Sequence, residues 1–417
     1  MFDFFPPEII EEIASNLDSN SLFCLSIVSS QFSGLLDNIH HLRQIIKEIG
    51  YYGNIKDVGV NRLKFLYKFM KHMHQPGDVY MMGDIDGILL EDEEQQEQEQ
   101  EQEEQEEQDN IREMHLKDII EISTSERCLC LTKAGEVYEL QVKYPYSKKE
   151  PFEVELIKGL TNIVQVSTLR SDSLFLTKDG QVYFRGYHTY GPQRIEEVLT
   201  GDPPTKKVKL VPNLENIVNI TAGHNRSFCV RNDGQVYSFG KYFYNKPLND
   251  KVICDVPTLI RGLENIIHVS DTQDLVLFLD VKGQIYAHGK VSSEKVYTEP
   301  TLIPNVNNII QIASNEFYSL CLRDDHRLYI FGEYYFFDIE TDNTFSGLEN
   351  VIKISTAYYR CLFLTKDDKV YVAGMNYDYY PNGGDNSPFD LIPDIDNVLD
   401  IYSWLGCDLV IRKNISK

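Results

Sequence analysis

Cysteine is the residue type whose chemistry would be easiest to recognise in this chain, because paired thiols bind metals or form disulfides. The 417 residues include eight cysteines, and none of them forms a C-x-x-C pair. Cys128 and Cys130 are the closest pair, with one residue between them, and the remaining spacings match no zinc pattern. The sequence therefore predicts neither a metal site nor a disulfide framework.

A column in which cysteine and phenylalanine interchange indicates what several of the cysteines do instead. Each member of the column lies eight residues before a tyrosine. Free cysteine behaves as a small buried hydrophobe, so its exchange with phenylalanine is typical of a packed core position. Reduced thiols also predict an intracellular chain, cytoplasmic or nuclear. The column consists of Cys130, Phe175, Cys229, Phe278, Cys321 and Phe363.

The histidines and short motifs offer catalysis no starting point. We find no Gly-rich phosphate loop, no paired-histidine metal motif and no nucleophile elbow. His224 follows Gly223 in a loop and has no partner at motif spacing, which predicts a structural or solvated side chain. His288 replaces an aromatic residue in a strand and is expected to be packed. We therefore predict a protein that is not an enzyme, with no catalytic residue, cofactor or metal.

A repeated unit must position these side chains, and it accounts for most of the chain. Five units begin with Asn and two aliphatic residues, and each places an apolar-Tyr pair 21 residues after the Asn. The clearest unit, residues 216–240, reads NIVNITAGHNRSFCVRNDGQVYSFG and predicts three short strands, with Asp233-Gly234 in a tight hairpin turn. A constant interval inside repeats of variable length is typical of one structural unit with variable connections. The pairs are Asn162 with Tyr183, Asn216 with Tyr237, Asn265 with Tyr286, Asn308 with Tyr329 and Asn350 with Tyr371.

This unit resembles the repeat of the regulator of chromosome condensation family, which forms β-propellers. The resemblance is carried by the aliphatic opening strand, a Ser-aliphatic strand such as Ser227-Phe228, the Asp-Gly turn and a closing Tyr-x-x-Gly. The family's Ala-Gly-x-x-His is mostly missing, because only Ala222-Gly223 remains and Arg226 stands at the histidine position. The resemblance implies a propeller over about four fifths of the chain.

Counting the two halves of the unit predicts the size of the ring. The first closing strand, around Tyr80, precedes every opening strand, and the last opening strand, from Asn397, has no closing strand after it. Joining these two builds one blade from both ends of residues 77–417 and removes exposed sheet edges. We therefore predict a mainly β fold, a seven-bladed β-propeller closed by a split blade. The opening positions are Asp118, Asn162, Asn216, Asn265, Asn308, Asn350 and Asn397, and the closing tyrosines are Tyr80, Tyr138, Tyr183, Tyr237, Tyr286, Tyr329 and Tyr371.

About half of the net charge of −24 lies in one segment. Residues 91–109 contain 12 acidic residues, 7 glutamines and no base, so they predict a disordered loop, either a solvated insertion or a contact for basic partners. The rest of the chain is also acidic, which argues against nucleic-acid binding because phosphates need clustered Lys and Arg. No apolar run approaches the roughly 18 residues of a membrane helix and no signal peptide is recognisable, so no membrane association is expected.

The N-terminal segment, residues 1–45, predicts short helices with apolar stripes. A segment of this length seldom encloses a core, so the stripes must pack on the rest of the chain or on another protein. The sequence FPPEIIEEIASNLDSNSLFCLSIVSSQFSGL resembles an F-box, with departures at Pro6, where the family prefers Leu, and at Phe32, where it often has Trp. The resemblance implies binding of a Skp-type adaptor through Pro7, Ile9, Ile13, Leu17, Leu22, Leu25, Val28 and Phe32.

Together, the two resemblances imply a non-catalytic substrate receptor of a cullin-type, SCF-like ubiquitin ligase. Residues 1–45 would bind the adaptor, residues 46–76, helical over 61–74, would form a linker packed between the two parts, and the propeller of residues 77–417 would capture an unidentified target protein. Two alternatives stay open. One is guanine-nucleotide exchange on a small GTPase, which some members of the propeller family perform; the other is a plain scaffold in which the N-terminal helices cap the propeller.

Overall fold

The computed structural model describes residues 77–82 and most of residues 111–413. Residues 1–76, 83–110 and 414–417 lie outside the described residues, so the eight predicted adaptor-binding residues from Pro7 to Phe32, the linker and the acidic segment are not placed. Within residues 111–413 the gaps fall at 115, 126, 143–151, 171, 187–207, 225, 243–251, 293–294, 316, 333–343, 346–347, 358–359, 375–388, 394 and 405–406. In this described part, no helix is long and apolar enough to cross a membrane.

The described residues form seven four-stranded antiparallel sheets, which are the blades. Two strands, β1 (Asp78–Met82) and β2 (Ile111–Glu113), precede the first complete blade. From the inside outwards, blade 1 contains β3 (Ile119–Thr124), β4 (Cys128–Thr132), β5 (Val137–Val142) and β6 (Phe152–Leu156), and blade 2 contains β7 (Ile163–Leu169), β8 (Asp172–Thr177), β9 (Val182–Arg185) and β10 (Lys209–Leu210). Blade 3 contains β11 (Ile217–Gly223), β12 (Arg226–Arg231), β13 (Val236–Tyr242) and β14 (Val252–Leu259), and blade 4 contains β15 (Ile266–Asp271), β16 (Leu275–Asp280), β17 (Ile285–Lys290) and β18 (Val296–Leu302). Blade 5 contains β19 (Ile309–Ser314), β20 (Tyr318–Arg323), β21 (Leu328–Gly332) and β22 (Thr344–Phe345), and blade 6 contains β23 (Val351–Ala357), β24 (Arg360–Thr365), β25 (Val370–Gly374) and β26 (Asp390–Leu391).

The seventh blade is shared by the two ends of the ring. Its inner strands are β27 (Val398–Trp404) and β28 (Cys407–Arg412), and its outer strands are β1 and β2. Strand β1 pairs with β28 in antiparallel register, with Val79 opposite Ile411. The seven inner strands contact one another in the order β3, β7, β11, β15, β19, β23, β27 and back to β3. The predicted seven-bladed propeller with a split blade is therefore confirmed.

The Asn that opens each repeat has a backbone role at the joint between blades. Asn216 and Asn265 adopt positive φ angles of 56° and 59°, a left-handed conformation that Asn tolerates better than most residues. The carbonyl of Asn216 then accepts a hydrogen bond of 2.9 Å from the Asn232 N–H, across the first two strands of its own blade. The hairpin glycine of the preceding blade, Gly180, accepts a bond of 3.2 Å from the Ile217 N–H. The Asn of one repeat is thus placed against the Asp-Gly turn of the repeat before it.

The core lies along the second strands and between neighbouring blades. Strands β4, β8 and β16 are buried along their whole length. Phe228 of blade 3 meets Phe278 of blade 4 edge-on, with ring centroids 6.2 Å apart. All six members of the Cys/Phe column are fully buried, as predicted. Burial raises the pKa of the Cys361 thiol to about 12, so this thiol stays protonated and inert.

The structure adds a fourth strand to the three that the repeat sequence predicts. These outer strands are more exposed than the inner ones, as in β18, where no residue of the sequence VYTEPTL is buried. Five of them place a leucine opposite the closing tyrosine of their blade, as Leu302 does opposite Tyr286. The interval from tyrosine to leucine varies because connections of different length precede the strand, and this variation concealed it. The five leucines are Leu156, Leu210, Leu259, Leu302 and Leu391.

Candidate functional site

The inner strands surround a central channel, and each of them carries one polar side chain at the same position of the strand. Every inner strand has a register shift between its first and third residues, as between Ile163 and Gln165. A β-bulge of this kind re-aims the side chain that follows it. The third position after the opening Asn or Asp is polar in all seven blades, and we call this set the polar ring. It consists of Glu121, Gln165, Asn219, His268, Gln311, Lys353 and Asp400.

The channel contains a cavity of about 440 Å³. All seven inner strands contribute to its wall, which includes six of the seven polar-ring residues and a second level of small hydroxyl side chains two residues further along the strands. A cavity with this lining could accept a short polar segment or side chain of another protein. The hydroxyl level consists of Ser123, Ser167, Thr221, Ser270 and Ser355.

Two glutamines of the polar ring join neighbouring inner strands. The Gln311 amide accepts a bond of 3.0 Å from the Ile354 N–H and donates one of 2.8 Å to the Ile354 carbonyl. Gln165 makes the same two contacts with Ile220, at 3.0 and 3.3 Å. Each glutamine therefore replaces the backbone ladder that two inner strands of different blades do not form. These side chains hold the channel together and are not free to bind a ligand.

The hydroxyl level provides a second set of links between the same strands. Ser123 accepts the Thr168 N–H at 2.9 Å, and Ser167 accepts the Ala222 N–H at 2.8 Å. Ser355 accepts the Ser403 N–H at 3.0 Å, which connects blade 6 to the split blade. Satisfying buried N–H groups in this way avoids the cost of about 1–3 kcal/mol for each unpaired donor.

The charged part of the polar ring lies where the split blade closes the ring. Lys353 of blade 6 forms an ion pair with Asp400 of the split blade, and the Tyr402 hydroxyl donates to Asp400 at 2.8 Å. On the other side of this joint, the Glu121 carboxylate accepts the Val166 N–H at 3.1 Å. Burial, reinforced by the negative charge of Asp400, raises the pKa of Glu121 to about 8. This carboxyl is thus predominantly protonated at neutral pH.

Buried ion pairs also join neighbouring blades. Arg226 of blade 3 donates from Nε to Asp271 of blade 4 at 2.8 Å, and both side chains are buried. Arg360 of blade 6 pairs at 2.5 Å with Asp408 on β28 of the split blade. Arg226 stands at the position that is histidine in the family that the repeat resembles, and in this chain it joins two blades.

One face of the propeller receives all the variable connections. In blade 3, the tight turn between β11 and β12 pairs Gly223 with Arg226, and Arg226 pairs in turn with Gly240 near the end of β13. Because neighbouring strands are antiparallel in every blade, each third strand ends at this same face, which we call the loop face. Strand β1 also runs toward it, so the acidic residues 91–109 follow the chain from the loop face.

The histidines have the structural character expected from the sequence. His288 is buried, and desolvation lowers its pKa to about 4, so it is neutral at physiological pH. The His224 N–H donates to Asp271 at 2.7 Å, which ties the loop of blade 3 to the ion pair described above. Among the described residues, no group of three or more His, Cys, Asp or Glu side chains could hold a metal ion.

The polar ring was not recognised from the sequence, although a signal was present. The constant interval aligns Asn with Tyr, while the polar residue three positions after the Asn varies in type from Glu to Lys. Its members share only polarity, and a rule that seeks identical residues does not find them. The eight predicted adaptor-binding residues lie outside the described residues and remain a prediction.

Comparison with protein families concerns the N-terminal segment. Residues 2–44 match the F-box domain model. An F-box sequence therefore precedes the propeller.

Two curated proteins are similar to the propeller part. Protein pim1 of Schizosaccharomyces pombe is 25% identical over 262 residues, which cover 60% of this chain and 44% of pim1. The human E3 ubiquitin-protein ligase HERC2 is 24% identical over 249 residues, which cover 54% of this chain and 5% of HERC2. The chain thus spans less than half the length of either relative.

Solved structures share the fold. Prp20p from Saccharomyces cerevisiae superposes with a TM-score of 0.62 at 16% identity, over 83% of this chain and 94% of Prp20p. Human WBSCR16 gives a TM-score of 0.59 at 17% identity, over 73% of this chain and 90% of that protein. At such identities the likeness shows the fold alone, a seven-bladed propeller.

Proposed function

We propose that this chain is the substrate-recognition subunit of a cullin-type, SCF-like ubiquitin ligase. The observation that carries the proposal is the F-box match at residues 2–44 in the same chain as a closed propeller. The F-box would bind a Skp-type adaptor, and the propeller would bind the protein to be ubiquitinated. The similarity to HERC2, an E3 ubiquitin-protein ligase, supports a link to ubiquitin transfer. This role requires an intracellular location, cytoplasmic or nuclear.

The propeller supports binding better than catalysis. A ligase that carries ubiquitin itself needs an accessible cysteine thiolate, and the five cysteines whose side chains are described are all buried. The channel wall is joined by its own hydrogen bonds, and the loop face carries connections of variable length. A rigid ring with variable loops at one face is suited to present a binding surface. The transfer of ubiquitin would then be catalysed by other subunits of the ligase.

Adaptor binding is tested by substituting the F-box anchors. We expect the purified chain to retain a recombinant Skp-type adaptor in a pull-down, and the combined change of Leu17, Leu22, Leu25 and Val28 to Ala to abolish retention, because these side chains would fill the adaptor's apolar groove. A matched control is Leu302→Ser, which alters an exposed leucine of the propeller instead. Equal retention by the four-fold variant would refute the proposal.

Target capture is tested by affinity purification with and without residues 1–45. The adaptor and cullin should be lost without these residues, while proteins bound to the propeller should remain. Loss of every partner together would contradict a separate target-binding propeller.

A second candidate function is guanine-nucleotide exchange on a small GTPase. It is favoured by the fold shared with Prp20p, whose described binding properties concern Gsp1p and histones. The test is release of labelled GDP from a Ran-like GTPase in the presence of the purified chain. Unchanged release would eliminate this candidate without affecting the ligase proposal.

A further inference from the structure

The structure contains a groove at the place where the N-terminal part of the chain joins the propeller. The groove has a volume of about 850 Å³ and lies between the connection from β2 to β3 and the hairpin of β4 and β5. Its apolar side chains include Met114, Leu116, Tyr138 and Val154. Val154 is 42% exposed, although it is aliphatic. This surface is apolar enough to favour a partner.

The path of the chain indicates which segment is near the groove. The Gly77 N–H donates to the Ile119 carbonyl at 2.9 Å, and the Ile119 N–H donates to the Gly77 carbonyl at 3.0 Å. Ile119 itself lines the groove. Only Gln75 and Pro76 separate Gly77 from the helix predicted over residues 61–74. Three Cα steps of about 3.8 Å therefore keep the end of that helix within roughly 11 Å of Gly77.

The predicted helix requires a surface to cover it. Its apolar stripe contains Leu63, Leu66, Met70 and Met73, which recur at the spacing of one helix face. A 14-residue helix is marginal in water on its own, so packing of this stripe must stabilise it. Because the tether is so short, the groove is available at a high effective concentration.

We propose that residues 61–74 dock in this groove between the split blade and blade 1, with the apolar stripe on Met114, Tyr138 and Val154. The contact fixes the F-box on one side of the ring, at the face opposite the loop face. A bound target would then be held at the far side of the propeller from the adaptor. The inference concerns the chain by itself and holds whether or not the F-box binds an adaptor.

Photo-crosslinking in the full-length chain tests the docking. A benzoylphenylalanine placed at Val154 should cross-link within the same molecule to residues 61–74. The matched control is the same probe at Val296, a valine of blade 4 that is 43% exposed on the corresponding outer strand. The yield of cross-links to residues 61–74 should be several-fold higher at Val154 than at Val296. Equal yields, or cross-links from Val154 only to residues 2–44, would overturn the proposal.

Two further measurements separate docking from other occupants. In a mixture of isotopically light and heavy chains, cross-links that join light to heavy peptides would identify a second copy as the occupant and overturn the proposal. The combined change Leu66→Asp and Met70→Asp places charges within the apolar stripe and should lower the yield at Val154 several-fold. The matched control is Lys64→Asp with Lys68→Asp, which lies on the opposite face of the helix and should leave the yield unchanged. Equal yields from the two variants would contradict docking through the stripe.

Discussion

Glu121 places a carboxyl group at a position where two other blades have glutamine. Gln165 and Gln311 bond the same backbone groups of the next inner strand that Glu121 reaches at Val166. A glutamine would satisfy this N–H without a charge. The carboxyl instead brings a titratable group next to Asp400, at the joint that closes the ring.

The free energy of unfolding should depend on pH differently in the parent chain and in the Glu121→Gln variant. The pKa of Glu121 rises from an ordinary 4.5 to about 8 in the folded chain, so its stabilising contribution is complete below pH 4.5 and is lost as the pH rises to 8. We expect Glu121→Gln to increase the free energy of unfolding at pH 8 by about 1–3 kcal/mol relative to its effect at pH 4. Urea denaturation at several pH values measures this difference.

The reverse exchange in blade 2 provides the control. Gln165→Glu should introduce the opposite dependence, with stability falling between pH 4 and pH 8. A difference between Glu121→Gln and the parent chain that does not vary with pH would show that folding does not raise the pKa of Glu121.

Arg226 and Asp271 form a buried pair whose two members depend on each other. Arg226→Leu leaves a buried carboxylate without its cation and should reduce the free energy of unfolding by about 3–5 kcal/mol. The double change Arg226→Leu with Asp271→Leu should restore part of this loss, since no uncompensated charge remains. A double-mutant cycle in chemical denaturation measures the coupling. Lys369→Leu, which disrupts an exposed pair with Asp367, is the control and should cost less than about 1 kcal/mol.

The hairpin turns couple each blade to the next through backbone contact. Gly234 has a φ of +81°, and a Cβ at this position would lie 2.4 Å from the Cα of Asn265 in the following blade. Gly262 has a φ of +82° but has no neighbour within 4 Å of such a Cβ. The two glycines therefore separate the cost of the backbone angle from the cost of the contact.

Alanine substitution at these two glycines should give different losses of stability. Gly262→Ala is expected to cost about 1 kcal/mol, because only the left-handed conformation is strained. Gly234→Ala should cost about 3 kcal/mol or more, because the blades must also move apart. Thermal and urea denaturation compare the two variants. Similar losses in the free energy of unfolding for the two variants would mean that blades 3 and 4 accommodate the added methyl group without further destabilisation.

The strands of the blades were predictable to different degrees. The first three strands of each blade follow from the interval between Asn and Tyr, because packing between blades holds the inner strands to one length. The fourth strand did not follow, since it lies after connections of unequal length and is exposed, as at Leu302. The sequence marks the start of each repeat with Asn but does not give the reason for this residue type. The reason is the left-handed backbone of Asn216, which lies against Gly180 of the preceding blade.

The ring as a whole was predictable from counting, whereas the site was not. The chain has seven opening strands and seven closing strands, but it begins with a closing strand and ends with an opening strand. One blade must therefore be built from both ends, and the pairing of Val79 with Ile411 confirms it. The polar ring depends on contacts between residues some 45 positions apart, such as Val166 and Glu121. The polarity of the ring's members can be read from the sequence, whereas these contacts between blades cannot.

The acidic segment is expected to be dispensable for the ring. It lies in the sequence between β1 and β2, which pair in register with Tyr80 opposite Glu113. Replacing residues 91–109 with a short Gly/Ser linker should change the free energy of unfolding by less than about 1 kcal/mol, because loop-closure entropy depends weakly on length. Thermal denaturation measures the change. A loss above about 2 kcal/mol would show that the segment packs on the propeller.

Strand β1 determines how the ring resists a pulling force that is applied through the N-terminal part of the chain. It is the strand through which residues before Gly77 enter the ring, and it is paired on one side with β28 and on the other with β2. If the N-terminal part is anchored while a captured protein is drawn away, tension enters β1 along its length. The load then falls in shear on two hydrogen-bonded ladders at once, so the bonds must break together and the ring resists traction.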